Sequence, residues 1–351
     1  MSSEETLSAG DVRSVRAESV VIRVEASEPA GRSVARRILV ALLTVSILLN
    51  VIFLFTSAAQ TASGQAGRVQ RSHHSGEPSA DAKIAVISFS GTIMPPFTER
   101  WLKQIEDARE DDSIRGVLLA IDSPGGLVAD SHQLYRELAK LREQKPVYVA
   151  MKRMAASGGY YLAMGIGEEG RIFAEPTTWT GSIGVIIPRY NASDLAAKVG
   201  LRVEPLVTGP LKDSLNPFRE LSQQESDVWA AVLKDSFDRF VGLIVENRRG
   251  LDEGQVRSLA TGQIYTASQA LDNGLVDELG YEEDALESLA AAMELAEYEA
   301  IEYSSPQTLL DVLLSSTAKQ DSGFMDQVLD AAVPKAMYYC SWNPWVPNAA
   351  R

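Results

Sequence analysis

A chain of 351 residues can hold one domain of about 220 to 260 residues with extensions on either side. Its formal net charge of −14 argues against nucleic acid as a partner. A single cysteine, Cys340, excludes an internal disulfide framework and any multi-cysteine metal centre, and His73, His74 and His132 leave little for a zinc site, so neither metal nor cofactor is expected.

Residues 1–37 mix arginine with acidic residues, show no sustained periodicity and read as a disordered tail. Residues 38–55, from Ile38 to Phe55, then run without a charge. As a helix they would be about 27 Å long, close to the hydrocarbon thickness of a bilayer. Arg32, Arg36 and Arg37 crowd the N-terminal side, which predicts a cytoplasmic N-terminus and a bulk domain on the outer side of the cell membrane. The alternative is a cleaved signal peptide with small residues at Ser57, Ala58 and Ala59; the long preceding tail favours an uncleaved anchor. Residues 56–82, rich in Ser, Ala, Gly and Gln, read as a tether.

The folded domain is assigned to residues 83–303. Strands are expected over Ile84–Phe89, Gly116–Ile121, Val147–Met151, Arg171–Ala174, Ile183–Ile187 and Arg202–Val207. Helices are expected over Phe97–Ala108, Leu127–Leu141, Asp194–Val199 and Gln223–Arg248, the last with an apolar face of Val228, Val232, Phe237, Phe240, Val241, Ile244 and Val245, and shorter helical pieces follow through Leu295. Short unbroken apolar strands alternating with helices imply an α/β domain whose sheet is largely parallel and covered on both faces. Residues 304–351 form a C-terminal extension whose aromatic end (Tyr338, Tyr339, Trp342, Trp345) should pack on something.

The stretch Met154-Ala-Ala-Ser-Gly-Gly-Tyr-Tyr161 stands where a strand turns into a helix. Ser157 there is either a helix N-cap or a nucleophile, with the Gly158 amide able to stabilise an anion beside it. A nucleophile needs a base. Lys212 lies in a Gly/Pro-punctuated loop after an apolar stretch, bracketed by Pro210 and Leu211. It is either a solvated lysine or, folded against the sheet edge, a neutral amine able to take the serine proton. Lys152 is nearer in sequence but poorly placed to aim at Ser157, and His132 reads as surface or packing. The loop Asp122-Ser-Pro-Gly-Gly126 closes a strand and is either a plain tight turn or the source of a second oxyanion donor from Gly125 or Gly126. Two further motif matches are set aside. Gly165-Ile-Gly-Glu-Glu-Gly170 would repel a pyrophosphate through Glu168 and Glu169, and Ser316-Thr-Ala-Lys319 lacks the companion motifs of the penicillin-binding proteins.

Ser123-Pro-Gly-Gly126, Ala155-Ala-Ser-Gly-Gly-Tyr-Tyr161, Thr180-Gly-Ser-Ile-Gly-Val185 and Gly209-Pro-Leu-Lys212 with Pro217-Phe218 occur in an order and spacing that resembles the signal peptide peptidase A family. Gly262-Gln-Ile-Tyr-Thr266 with Gln269 to Gly280 is similar to its C-terminal signature. The resemblance covers roughly Lys83 to Glu302 and implies a Clp protease–crotonase-like fold. It also implies a membrane-anchored serine–lysine endopeptidase, oligomeric, with sites formed across subunit boundaries. Signal peptides and other apolar peptides at the bilayer would be its substrates. Carried over, Ser157 is the nucleophile, Lys212 the general base, Gly125, Gly126 and Gly158 the oxyanion hole, and Ser182 a candidate for orienting the lysine. Two rival functions remain: a non-catalytic membrane scaffold of the same fold, and a crotonase-type acyl-CoA enzyme.

Overall fold

The computed structural model describes residues 30–62, 69–304 and 337–339. Residues 1–29, most of the C-terminal extension with Trp342 and Trp345, and the Ser316–Lys319 match lie outside the described residues. The chain divides into two compact units, Met1–Ser63 and Gly64–Arg351.

The first unit is helix α1, Ala30–Ala62. It extends beyond the expected span at both ends, and on its C-terminal side Ser57 to Ala62 supplies Ala and Gln, good helix formers. Within it, Arg36–Phe53 is long and apolar enough to cross a membrane by length and composition. Two of its polar side chains bond to the preceding turn: Thr44 Oγ1 donates to the Val40 carbonyl at 2.8 Å and Asn50 Nδ2 to the Ser46 carbonyl at 2.6 Å. A polar group in hydrocarbon requires such a partner.

The second unit is a nine-stranded sheet. Its strands are β1 (Gln70–Gly76), β2 (Lys83–Ser90), β3 (Ile114–Ser123), β5 (Val147–Ala156), β6 (Ile172–Ala174), β7 (Trp179–Gly181), β8 (Ile264–Thr266), β9 (Glu278–Leu279) and β10 (Glu299–Ser304). The order is β1-β10-β2-β3-β5-β6-β9, parallel except at the β1 edge, with β7 beside the end of β5 and β8 antiparallel to β7. The strands read as continuous apolar runs because both faces are buried. Ile87, Leu119, Ile121, Val149 and Met151 face one core, shared with α2 (Phe97–Glu110), α3 (Val128–Arg142) and the C-terminal half of α6 (Gln223–Asn247). Their neighbours Val86, Leu118, Ala120, Tyr148 and Ala150 face another core, closed by Ala285, Leu286 and Leu289 of α9 (Glu282–Ala292). The remaining helices are α4 (Gly158–Ala163), α5 (Ser193–Lys198), α7 (Glu253–Leu259) and α8 (Ala267–Asp272).

Four expectations change. Gln70–Gly76, read as tether, is an edge strand paired with β10; its exposed polar side chains carry no apolar alternation that would mark it. His73 and His74 there meet Glu299 and Glu282. Ile183–Ile187 is not a strand. Positive φ at Gly181 (80°) and Ser182 (49°) turns the chain out of the sheet after β7, and only an isolated bridge at Ile186 remains. Arg202–Val207 finds no ladder and leaves Leu206 and Val207 exposed, because an apolar run is a strand only where a neighbour supplies hydrogen bonds. Finally, the apolar stripe of α6 is core only toward its C-terminus: Phe240, Val241 and Ile244 are buried, whereas Val228 and Val232 are exposed.

Candidate active site

Strand β5 sits mid-sheet, so whatever follows its C-terminal end is held by neighbours on both sides. Ala155 pairs with Ser123 of β3 and with Thr180 of β7, and Thr180 Oγ1 donates to the Ala155 carbonyl at 2.7 Å. The first residue after β5 is Ser157, with φ 54° and ψ −112°, a positive φ that a non-glycine residue adopts only under constraint. The constraint is visible: the Ser157 amide donates to Gly181 O at 2.7 Å, and its carbonyl accepts from Tyr161 N at 2.8 Å as α4 begins. Tyr160 anchors that helix through its hydroxyl to Leu275 O at 2.8 Å, and its ring is fully buried.

Ser157 stands at the N-cap position but makes no capping hydrogen bond, so the N-cap reading fails. Its Oγ is buried without a partner among the described residues. A buried hydroxyl left unpaired costs about 1–3 kcal/mol, so the turn holds Ser157 at an energetic cost.

The Gly125–Gly126 loop comes against this turn. After β3, Gly125 takes φ 98° and opens a short strand, β4 (Gly125–Leu127). Ile93 lies along one edge of β4, donating its amide to Gly125 O at 2.9 Å and accepting from Leu127 N at 2.8 Å. The Gly125 amide donates to Ser123 Oγ at 3.1 Å. By alternation, the Gly126 amide faces the opposite edge. A Cβ on Gly125 would lie 2.6 Å from Gly158 N; one on Gly158 would lie 3.0 Å from both Gly125 Cα and Gly126 N. The three glycines are therefore packed backbone to backbone beside Ser157. The Gly125 amide is already committed to Ser123 Oγ, while that of Gly126 faces the other edge of β4.

Ser182 is adjacent to this centre, buried, with its amide on Gln263 O at 2.7 Å. Lys212 is not. It is exposed in a turn, with its amide on Gly209 O at 3.1 Å, and its ammonium has no hydrogen bond or ion pair among the described residues. The structure thus brings together Ser157, Ser182, Gly125, Gly126 and Gly158 within one chain, and Lys212 makes no hydrogen bond to Ser157 Oγ.

The lysine loop is nevertheless held firmly. Arg219 Nε reaches Asp213 Oδ2 (3.2 Å), and its terminal nitrogens clasp Glu225 at 2.6 and 2.9 Å. Glu225 also closes the capping box of α6 on Ser222, and Trp229 Nε1 donates to Ser214 Oγ at 3.1 Å. The Arg219 hydrogen bonds, followed by those from Ser222, hold the Glu225 carboxyl down to about 2. Sequence reasoning missed Arg219: the Ser222–Glu225 capping box is legible locally, but nothing local says which arginine closes on it.

His132 makes no hydrogen bond to Ser157 Oγ. Its Nδ1 is 2.8 Å from the Tyr161 hydroxyl, and burial, then Arg239 and Arg136, lower its pKa. Lys152 is engaged by Glu282 and Glu175. No cluster of three or more His, Cys, Asp or Glu able to hold a metal occurs among the described residues.

Comparison with known proteins places this geometry in a family. The model of peptidase family S49 matches residues 139–296, a span that contains Ser157, Ser182 and Lys212. A candidate signal peptide peptidase, SppA, of Enterococcus faecium is 40% identical over 211 residues, 60% of this chain and 60% of that protein's length. A candidate protease of Synechocystis sp. is 40% identical over 203 residues, 58% of this chain and 72% of its own. Protease 4 of Salmonella typhi is 31% identical over 259 residues, 72% of this chain but 41% of that protein. The helix-covered, mostly parallel sheet has the Clp protease-like fold that the resemblance implied. On the combined motifs, matched residues and relatives, the chain belongs to peptidase family S49, the signal peptide peptidase A family.

Proposed function

We propose that this protein is a membrane-anchored serine endopeptidase in which Ser157 attacks and Lys212 of a neighbouring copy serves as general base. The observation that carries the reading is the Ser157 hydroxyl, buried, unpaired and held at positive φ against the Gly126 and Gly158 amides. In this scheme Ser157 Oγ adds to a peptide carbonyl while a neutral lysine amine takes its proton. The oxyanion formed is met by the two glycine amides, each worth about 3 kcal/mol of barrier. The protonated amine then protonates the departing nitrogen, leaving an acyl ester on Ser157. Deprotonated by the same amine, water releases the acid.

Two features support a shared site. Lys212 is exposed and unpartnered among the described residues of its own chain, and the lobe that carries it also exposes Tyr190, Leu195, Val199, Leu206, Phe218 and Val232. A run of exposed apolar side chains this dense marks a surface that is covered in the working protein, and a second copy is the occupant proposed here. Helix α1 is proposed as the anchor, with its arginine-flanked N-terminus cytoplasmic and the peptidase unit on the outer side. Apolar peptides at the bilayer, cleaved signal peptides among them, are the proposed substrates.

A fluorophosphonate reagent should label the wild-type chain at Ser157, and Ser157→Ala should lose both label and turnover, the latter by about 10⁴-fold or more. Mixed oligomers of Ser157→Ala and Lys212→Ala chains should regain part of the turnover. A wild-type chain that neither labels nor cleaves would make the protein a non-catalytic scaffold; mixed oligomers that form and stay inactive would put both residues in one chain.

A further inference from the structure

The residue after Lys212 is an acid, Asp213, yet among the described residues its carboxylate makes no ion pair with the lysine. It is taken up from the other side. Arg219 Nε donates to Asp213 Oδ2 at 3.2 Å and Asn216 Nδ2 to the same oxygen at 2.9 Å. Arg219 Nη2 donates to the Asp213 carbonyl at 2.5 Å, so one guanidinium holds both the side chain and the backbone of the residue beside the lysine. Its other N–H groups go to the Glu225 carboxylate at 2.6 and 2.9 Å and to the Glu220 carbonyl at 3.0 Å. All the donors of Arg219 are thereby engaged.

The clasp is itself clamped by the segment that follows Ser182. Arg189 Nη2 donates to the Arg219 carbonyl at 2.5 Å and to the Asn216 carbonyl at 3.4 Å, and the Ala192 amide donates to Pro217 O at 2.6 Å. The charged groups around the loop are thus Arg189, Asp213, Arg219, Glu220 and Glu225. The Glu220 carboxylate accepts from Asn191 Nδ2 at 2.6 Å, and that of Glu225 is closed on Arg219 and Ser222. Asp213 is the acid next in sequence to Lys212. A lysine's four-carbon stem is flexible enough to fold back onto a neighbouring carboxylate, and an ion pair there favours the charged ammonium. A general base has to be neutral when it acts.

We propose that Arg219 is a positioning residue for Lys212: it draws the Asp213 carboxylate away from the lysine, so that the amine stays unpaired and able to give up its proton. Arg219 touches no reacting atom in this scheme and acts only through Asp213. The inference rests on the reading of Lys212 as general base, and adds to it the requirement that the negative charge beside that base be occupied.

Acylation of Lys212 by acetic anhydride, which needs the neutral amine, tests it without any turnover. The full-length Ser157→Ala protein in detergent is labelled across a pH series, and Lys212 is read by mass spectrometry. Arg219→Gln with Glu225→Gln removes one charge of each sign, and glutamine at 225 can still close the capping box on Ser222. Asp213 is then released, and the midpoint of Lys212 acylation should move up by about one pH unit. Adding Asp213→Asn should bring it back, although asparagine does not rebuild the clasp. Asp213→Asn alone should move it by under about 0.3 of a pH unit, since that charge is already occupied. Should the double variant fail to assemble, Arg219→Lys, which keeps the charge and loses the fork, carries the same test with a smaller upward move. An unmoved midpoint, or a move that Asp213→Asn leaves in place, would overturn the proposal. With Ser157 intact, the acid limb of kcat should follow the acylation midpoint. The two readings fail separately. Turnover that survives Lys212→Ala would remove the base reading and leave the acylation pattern standing, whereas turnover abolished by Lys212→Ala without that pattern would remove the role of Arg219 alone.

Discussion

Two glycines with nearly the same backbone angle separate strain from site geometry. Gly91 has φ 97° and Gly125 has φ 98°, so alanine at either costs about 1–3 kcal/mol of stability through its backbone conformation alone. They differ in what a new methyl would meet. Around Gly91 nothing lies within 4 Å, whereas at Gly125 the Cβ would sit 2.6 Å from Gly158 N and 3.0 Å from the Tyr338 carbonyl carbon. Carbon contacts settle near about 3.5 Å, so Gly125→Ala must push the Gly158 backbone away by about 1 Å. A misplacement of about 1 Å at a reacting centre can lower turnover about 100-fold, equivalent to about 2.7 kcal/mol of barrier. The assay is kcat on an apolar peptide for the detergent-solubilised protein, with thermal unfolding measured in parallel. Gly91→Ala should lose stability and keep kcat within a few-fold; Gly125→Ala should lose similar or greater stability and about two decades of kcat. Equal kcat values for the two variants would refute the idea that the Gly125–Gly158 contact sets the oxyanion geometry.

Three further outcomes are expected. Glu225, held down to about 2, contributes stability that is fully present above its unfolded value of about 4.3 and is lost as pH falls toward 2. Glu225→Gln should therefore show a shallower fall in unfolding temperature over that window than wild type, and parallel slopes would argue against the clasp. Asp277→Ala leaves the buried Arg248 guanidinium with only the Gly274 carbonyl, and also removes the acceptor of the Ile172 amide; a loss of about 3 kcal/mol is expected in denaturant unfolding, and a loss under 1 would contradict it. Protease added outside intact spheroplasts should reach the peptidase unit and spare residues 1–37, whereas digestion of the tail alone would reverse the proposed orientation.

Much of the candidate site is legible in the sequence. Ser157, Gly158 and the Gly125–Gly126 loop are marked by small residues at strand ends, where only backbone freedom and close approach explain them. The apolar span of α1 and the core strands are equally visible, since continuous hydrophobicity reports burial on both faces. Less was legible where a residue's meaning depends on a distant partner. Gln70–Gly76 became a strand because β10 offers it an edge, and Arg202–Val207 did not because nothing does.

Composition and local spacing alone therefore determined an α/β domain behind an apolar helix, with a serine on a strand-to-helix turn. These follow from short-range rules of burial period and backbone sterics, which act within a few residues of each position. Tertiary structure decided that Ser157 does not cap its helix, that the Gly125 amide is committed to Ser123 Oγ, and that Lys212 makes no hydrogen bond to the serine of its own chain. It also decided that Tyr338, more than 175 residues further along the chain, comes to lie against Gly125 and Gly126. Hydrogen-bond partners and packing neighbours are chosen in space, and sequence separation carries no information about which will meet.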